Sequence, residues 1–322
     1  MDGNQELRTV DLDHLPEVLA DRVRMTVKCS DCDAISKVPH AGTTRTLADG
    51  TRAQIMHNGV LVVEDGYYGP FITAIIRALR GHHEPQEELA FHHAIGHLRT
   101  TPSGTPTIIE FGSHWAYYSL WFLDAFPEGR AVCIEPDPGN LQIGRQNFAL
   151  NGRTGTFLQA AAGPVALPSI TFTPETTNSP IEIPQVSLTS VMDQFAIEHA
   201  DMVLIDIQGA EANLLHAVSA EFLRERVRFL CISTHDLSIS GSATTHQDVL
   251  NQVIDLGGHV LVEHSVSESY SGDGLILCSF DERDRDVFVE ISYARSRDSL
   301  FGEWEPRLET IRLALAALRP VE

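Results

Sequence analysis

Basic side chains are in short supply: 23 lysines and arginines face 44 aspartates and glutamates, a formal net charge of −21. A surface of that sign repels phosphate backbones, so no nucleic-acid partner is expected. Long apolar runs are missing as well. No stretch approaches the roughly 18 to 20 residues that span a bilayer, and the opening segment MDGNQELRTVDLDHLPE has no apolar core of a signal peptide. The chain is therefore expected to be cytoplasmic, with no membrane association. Cysteine is sparse and odd in number, five in all. Cys133, Cys231 and Cys278 each sit in an apolar, strand-like run where a small buried thiol is the ordinary reading, so structural disulfides are not expected. What the chain does have is 43% hydrophobic and 21% charged residues over 322 positions. That is enough to bury a sizeable core, which excludes intrinsic disorder and a stapled miniprotein.

The first hundred residues read as an irregular α+β unit. Asn58-Gly59 lies between two apolar runs and signals a tight hairpin near 52–64, with positive φ at both central positions. PFITAIIRALRG has apolar residues at helical spacing, Pro70 suiting an early turn and Gly81 a stop, and a second helix is expected from Pro85 to Leu98. TPSGTP, residues 101–106, is a connector. The boundaries expected are an accessory or lid region at 1–100, a catalytic domain at 101–280 and a helical tail at 281–322. The tail holds the mixed-charge DERDRD and an amphipathic helix near Leu308–Leu318.

From Thr107 the pattern changes. TIIEFG, AVCIEP, TFLQAAAG, MVLIDI and RFLCIST have the length and β-branched content of buried parallel strands, and YYSLWFLDAF, PGNLQIGRQNFALNG and GAEANLLHAVSAEFLRE read as helices between them. Alternation of this kind predicts an open, doubly wound α/β sheet. Asp137 as N-cap, Pro138 at the first helical position and Asn151-Gly152 as the stop mark one helix clearly. HVLVEHSV and GLILCSF are joined by a segment too short for a crossover helix, so they should pair antiparallel. A plain dinucleotide-binding sheet is parallel throughout; a late antiparallel hairpin is typical of the methyltransferase variant.

Ligands of such sheets bind beyond the carboxyl ends of the strands. There the first strand offers Glu110, Gly112, Ser113 and, opening the next helix, Tyr118; the second offers Glu135, Pro136 and Asp137; the third offers Ala161. Glu135 lies about 20 residues past the glycine turn, the distance for a carboxylate that accepts from both ribose hydroxyls. That spacing suits a nicotinamide coenzyme and S-adenosylmethionine alike. The loop GSHWAYY, bulky where a pyrophosphate site needs GxGxxG, favours the sulfonium cofactor, for which Trp115, Tyr117 and Tyr118 supply aromatic faces unless they only pack the helix. The fourth and fifth strands end in Asp206-Ile207-Gln208-Gly209-Ala210-Glu211 and Ser233-Thr234-His235-Asp236. A hydroxyl acceptor must lose its proton as it gains the methyl group, so His235 is expected as general base, with Asp206 orienting the acceptor and Glu211 beside it. Asp206 and Asp236 could instead hold Mg²⁺, or Asp206 could cap the next helix. His264 and Asp273, with Tyr67 and Tyr68, are candidates to touch substrate; the tyrosines would form a lid or a subunit contact, which leaves a homo-oligomer open. His82, His83, His92, His93 and His97 cluster, the last two at the i, i+4 spacing of a helical metal pair, but a solvated face or a cofactor-facing helix is the plainer reading. Cys29 and Cys32 form a CxxC without a second pair, which points to local packing.

EFGSHWAYYS, IEPDPGNLQIGRQNFALNG, LIDIQGAEANLL and ISTHD together resemble the FkbM-type S-adenosylmethionine-dependent methyltransferases, and CSDCDAISKVPHAG, MHNGV, GHHEPQEE and EHSVSESYSGDGLI resemble a subgroup of them. The resemblance implies a class I, Rossmann-like methyltransferase sheet of seven strands with the last one reversed. It also implies O-methylation of a hydroxyl on a small molecule, such as a sugar or secondary metabolite. Residue by residue it assigns Glu110 and Gly112 to the methionine end of the cofactor, Glu135 to its ribose, Asp206 to the catalytic rim and Glu87 to closing the pocket. Two departures stand out: Ala116 where a second glycine is common, and Gln208 where the DxEGAE form has glutamate. A methyltransferase fold kept only for binding, or a dinucleotide-dependent oxidoreductase, are the alternatives.

Overall fold

The computed structural model describes residues 12, 15–101 and 104–294. Helix α1 (Glu17–Thr26) leads into a three-stranded antiparallel sheet of β1 (Thr44–Thr46), β2 (Arg52–Ile55) and β3 (Leu61–Val63), followed by α2 (Pro70–Ala78) and α3 (Pro85–Thr100). The hairpin stands where Asn58-Gly59 predicts it, but only Gly59 takes a positive φ, and its N–H closes a turn onto the Met56 carbonyl. The turn is longer than the two-residue form and places His57 at its tip.

The order then becomes β4 (Thr107–Phe111), α4 (Tyr117–Ala125), β5 (Arg130–Ile134), α5 (Pro138–Leu150), β6 (Thr156–Leu158), β7 (Ala161–Ala162), β8 (Leu167–Phe172), β9 (Ile181–Val186), α6 (Leu188–Gln194), β10 (Ala200–Ile205), α7 (Glu211–His216), α8 (Ala220–Arg226), β11 (Val227–Thr234), α9 (Leu237–Ser240), α10 (Thr245–Asp255), β12 (His259–His264) and β13 (Gly274–Ser279). Seven strands form one sheet in the order β12-β13-β11-β10-β4-β5-β6. All run parallel except β13, which is antiparallel to both neighbours. The order reverses at β4, so the crevice at the carboxyl ends of β4, β5 and β10 is the ligand position such a sheet provides.

Alternation along each strand builds two cores. Ile108, Met202, Leu204 and Leu277 face one side, where Ile72, Leu89, Phe91, Leu120 and Phe122 from α2, α3 and α4 cover them. Ile109, Val203, Ile205 and Ile276 face the other, under Val191, Leu214, Leu223 and Val249. Each such side chain, fully buried, contributes about 1.5–3 kcal/mol. Because Val23, Ile72 and Leu89 share a core with Ile108 and Met202, the N-terminal helices form one layer of the sheet's packing. None of the described helices is long and apolar enough to cross a membrane. All five cysteines are buried and none is in a disulfide.

Three elements differ from the sequence reading. The helix expected over 209–225 is two helices, because Ser219 accepts from the Phe222 N–H and starts a new N-terminus at α8. TFLQAAAG divides: only β6 joins the main sheet, while β7 pairs with β9 in a small sheet ordered β7-β9-β8. That small sheet had no counterpart in the sequence reading. The tail returns to the sheet through Asp284, and the helix expected at Leu308–Leu318 lies outside the described residues.

Arg228 on β11 is 1% exposed and donates to Asp284 through Nε (2.9 Å) and Nη2 (2.8 Å), while Ser279 donates to the same carboxylate. Removing one partner leaves a buried, unpaired charge, so Asp284→Ala is expected to lower stability by about 3–5 kcal/mol. A urea titration giving a loss under about 1 kcal/mol would show the pair to be dispensable.

Candidate active site

A cavity of ≈ 350 Å³ opens at the reversal point, inside the size range of small-molecule sites. The geometry begins with Gly112. At φ 75° it turns the chain out of β4, and a Cβ there would lie 1.6 Å from the Asp206 carbonyl oxygen. Only glycine lets the ends of β4 and β10 approach in this way. His114 (φ 41°) and Ala116 (φ 56°) continue the left-handed turns. The glycine common at position 116 is thus explained by backbone conformation, and alanine keeps it at a cost of about 1–2 kcal/mol. The Ser113 hydroxyl oxygen, in a residue 1% exposed, has no hydrogen-bond partner and lines the cavity.

Carboxylates dominate the walls. Glu110 accepts from the Ser119 N–H (3.1 Å) and hydroxyl; burial pushes its pKa up to about 8 against those bonds. Glu135 accepts the N–H groups of Asp137 and His114, each at 2.9 Å, and burial still raises it to about 7. Asp137 caps α5 through Gly139 (2.8 Å), and its other oxygen accepts from the Thr176 N–H (2.9 Å). It thereby ties the β8–β9 connection to the cavity, where Phe172, Thr173 and Glu175 become lining residues.

Tyr67, Tyr68, Glu110, Gly112, Ser113, Tyr118, Glu135, Pro136, Asp137, Ala161, Asp206 and Gln208, all singled out from sequence, line the cavity. The Tyr67 ring stacks on Trp115 at 4.5 Å and 7°. Behind the lining, His235 is 1% exposed, with Nδ1 2.9 Å from Glu211 and Nε2 3.1 Å from Asp206; Asp273 is 3.9 Å from Nε2. Burial alone would lower its pKa, but the bonds to Asp206 and Glu211 outweigh it and hold the ring well above the usual histidine value. Both ring nitrogens thus already have partners and the ring is not part of the cavity lining, so His235 stands behind Asp206 rather than at the open position read for a base.

Other assignments also change. Asp236 accepts from the Ser238 N–H at 2.5 Å and caps α9. Asp206 and Asp236 belong to no metal-capable group, so the expected Mg²⁺ pair is not assembled; among the described residues the only group whose ligand atoms approach within 4.8 Å is His57, His82 and Glu88. The His57 and His82 rings there are stacked at 15°, so their in-plane lone pairs run nearly parallel and cannot converge on one ion. His264, the last residue of β12, is buried with Nδ1 3.0 Å from the Ser265 carbonyl, outside the cavity lining. Glu87 accepts from Ser233 at 2.5 Å and is also outside the lining. Of the histidine cluster, His82 and His83 are buried, whereas His93 is exposed and His92 and His97 partly so. His83, from the histidine cluster for which a cofactor-facing helix was one reading, lines the cavity, as do Glu84, His114 and Asn140, which were not singled out. The signal for the first two was present: they immediately precede Pro85, which fixes the start of α3 beside the crevice.

A seven-stranded sheet with one reversed strand, a glycine turn after the first strand and a ribose-type carboxylate after the second define the class I methyltransferase fold. Residues 102–257 match the model of the methyltransferase FkbM domain, so this part of the chain is an FkbM-type methyltransferase domain, a family that implies S-adenosylmethionine as cofactor. Solved structures similar to the chain include a precorrin-6y C5,15-methyltransferase from Geobacter metallireducens GS-15 (15% identity, 59% of this chain and 87% of that one, TM-score 0.38). A putative O-methyltransferase from Klebsiella pneumoniae (16%, 59% and 78%, 0.37) and a METTL16 MTase domain (14%, 83% and 94%, 0.42) are also similar. No curated protein matches the chain. The residues present fit the cofactor: the glycine turn admits close approach, the Ser113 hydroxyl awaits a partner and Glu135 presents a carboxylate at the right strand end.

The raised Glu110 pKa has a testable sign. The folded chain holds a proton that the unfolded chain releases above about pH 4.5, so this group's contribution is full below that pH and is lost as pH rises toward about 8. Glu110→Gln should flatten the decline of stability between pH 5 and 8 in urea titrations of the cofactor-free protein. Glu135 slopes the same way up to about 7, so part of the decline stays. An unchanged slope in the variant would remove the assignment.

Proposed function

We propose that the chain methylates a hydroxyl group of a small molecule such as a sugar or secondary metabolite, with Asp206 as the group that meets the acceptor. The observation that carries this reading is the Asp206 carboxylate: it lines the cavity, is partly exposed, and is held at 3.1 Å by the buried His235 ring. Glu110, Gly112 and Ser113 hold one end of the cofactor, Glu135 its ribose, and Pro136, Asp137 and Ala161 the neighbouring wall. When bound, the cofactor supplies an electrophilic methyl group on a positively charged sulfur.

Asp206 accepts the acceptor's O–H proton, which orients an oxygen lone pair along the line of transfer and removes the proton as the ether forms. His235 keeps that carboxylate in place and offsets its charge, while Glu211, 0% exposed, fixes the ring from the other side. Tyr67 and Tyr68 supply flat apolar walls on the open side of the cavity, the surface a sugar or aromatic alcohol stacks on. The reading excludes nucleic acid on charge and treats residues 1–100 as part of the pocket wall.

Asp206→Asn keeps the side chain's shape and removes the proton acceptor. Turnover with methyl-labelled cofactor and a panel of hydroxylated acceptors should fall by about 10²–10⁴-fold while S-adenosylhomocysteine affinity stays within a few-fold. Glu135→Ala should do the reverse, weakening cofactor affinity strongly through the loss of charge-assisted bonds. Product methylated on nitrogen or carbon, or full turnover in Asp206→Asn, would overturn hydroxyl transfer through Asp206.

A further inference from the structure

The cofactor of this family ends in an amino acid, with an α-ammonium and an α-carboxylate that each need a counter-charge once removed from water. The cavity has acids in excess: Glu84, Glu110, Glu135, Asp137, Glu175 and Asp206 line it, while among the described residues no lysine or arginine does. The remaining bases in the lining are His114 and His83. Burial drives the His114 pKa down to about 4, which leaves that ring neutral at pH 7.

His83 is different. It is 1% exposed, and Glu88, itself fully buried, accepts its backbone N–H (2.9 Å) and stands 2.6 Å from Nδ1. With Nδ1 anchored there, Nε2 is turned toward Glu84, 3.2 Å from its carboxylate, yet makes no hydrogen bond. Burial would lower this ring's pKa, but Glu84 and Glu88 outweigh it and raise it to about 10. Glu84 is near enough to pair electrostatically with this N–H but is not aligned to accept it, so a buried donor beside the cavity keeps bonding capacity for a ligand. Tyr67, Trp115 and Tyr118 surround the ring at centroid distances of 5.5, 4.9 and 5.9 Å, which keeps water away and strengthens any ion pair formed there.

The backbone adds to the same point. Helix α3, 16 residues long, begins at Pro85 and has no side-chain cap: the Glu84 carboxylate is turned away from the first amides and accepts instead from the Tyr118 hydroxyl at 3.4 Å. A buried histidine ring and a carboxylate thus meet at one corner of the cavity, just before the start of α3. Glu110, the residue the family resemblance assigns to this end, carries its proton at neutral pH and is occupied by Ser119, so it is a poor counter-charge for an ammonium group.

We propose that His83 and Glu84 clamp the amino-acid end of the cofactor, the His83 Nε2–H taking the α-carboxylate and Glu84 taking the α-ammonium. The assignment rests on the S-adenosylmethionine reading above and adds to it the pair that distinguishes a full adenosyl amino acid from a bare thioadenosine.

Calorimetry on the full chain with two ligands tests it: S-adenosylhomocysteine, which has the amino acid, and methylthioadenosine, which lacks it. The wild-type protein should bind the first at least 100-fold more tightly. His83→Gln and Glu84→Gln should each weaken S-adenosylhomocysteine at least tenfold and leave methylthioadenosine within about twofold, so that the preference collapses; charge-assisted bonds of this kind are individually worth that much. Retained preference in both variants, or equal loss of both ligands in Glu84→Gln, overturns the clamp alone. If the His83 variant does not fold, Glu84→Gln decides by itself. Binding of neither ligand by the wild-type protein overturns the cofactor reading and the clamp with it.

Discussion

The approach of Gly112 to the Asp206 carbonyl is the constraint on which the site depends. The two strands are hydrogen-bonded neighbours to their last residues, and the Asp206 N–H still donates to the Phe111 carbonyl at 2.9 Å. Any side chain at 112 would meet backbone at 1.6 Å, so glycine sets how closely the loops after β4 and β10 can pack. Once they meet, Glu110, Glu135 and Asp206 must share one cavity, because each stands at or just after the end of an adjacent strand. The chemistry follows from that crowding. Burial raises the pKa values of Glu110 and Glu135, and the neighbouring carboxylates add to it.

A cavity of that kind is electrostatically unfinished. Two buried histidine rings, His83 and His235, stand behind or beside the negative charge, each between two carboxylates that raise its pKa: Glu84 and Glu88 for one, Asp206 and Glu211 for the other. What is left is a lining that favours a ligand with a cationic centre over a neutral or anionic one. A sulfonium fits that demand, and the pyrophosphate of a dinucleotide does not. The electrostatics of the folded cavity therefore lead to the same choice as the bulky GSHWAYY loop, by a separate route.

How much of this could be read from the sequence follows from which forces are local. The parallel strands are legible because burial on both faces makes TIIEF or MVLI continuous apolar runs, and the reversed β13 is legible because the nine residues between β12 and β13 cannot hold a crossover helix. Caps and glycine turns are local too, which is why Asp137 and Gly112 stand where they were expected. The small β7-β9-β8 sheet was missed because β8 is mostly exposed and carries little apolar signal, its place being secured by Asp137 from across the cavity. Protonation states were misread for a similar reason. That His235 lies between Glu211 and Asp206, and His83 between Glu88 and Glu84, are consequences of which carboxylates packing brings within 3.2 Å.

The Gln208 departure acquires a reason within this arrangement. The residue sits in the left-handed region at φ 53°, followed by Gly209, whose Cβ would collide with the Ser240 backbone at 2.5 Å, so the loop after β10 is held tightly against α9. Its amide lies 3.0 Å from His235 Nε2 and 3.4 Å from Asp206. A glutamate there would place another carboxylate on an imidazolium already shared by Asp206 and Glu211, with Asp273 at 3.9 Å. The neutral amide fills the same position, donates to the Asp206 carboxylate and adds no further charge beside the ring. On this reading glutamine helps to keep Asp206 paired and aimed at the cavity, and the loss of a formal charge at 208 is compatible with hydroxyl chemistry at 206.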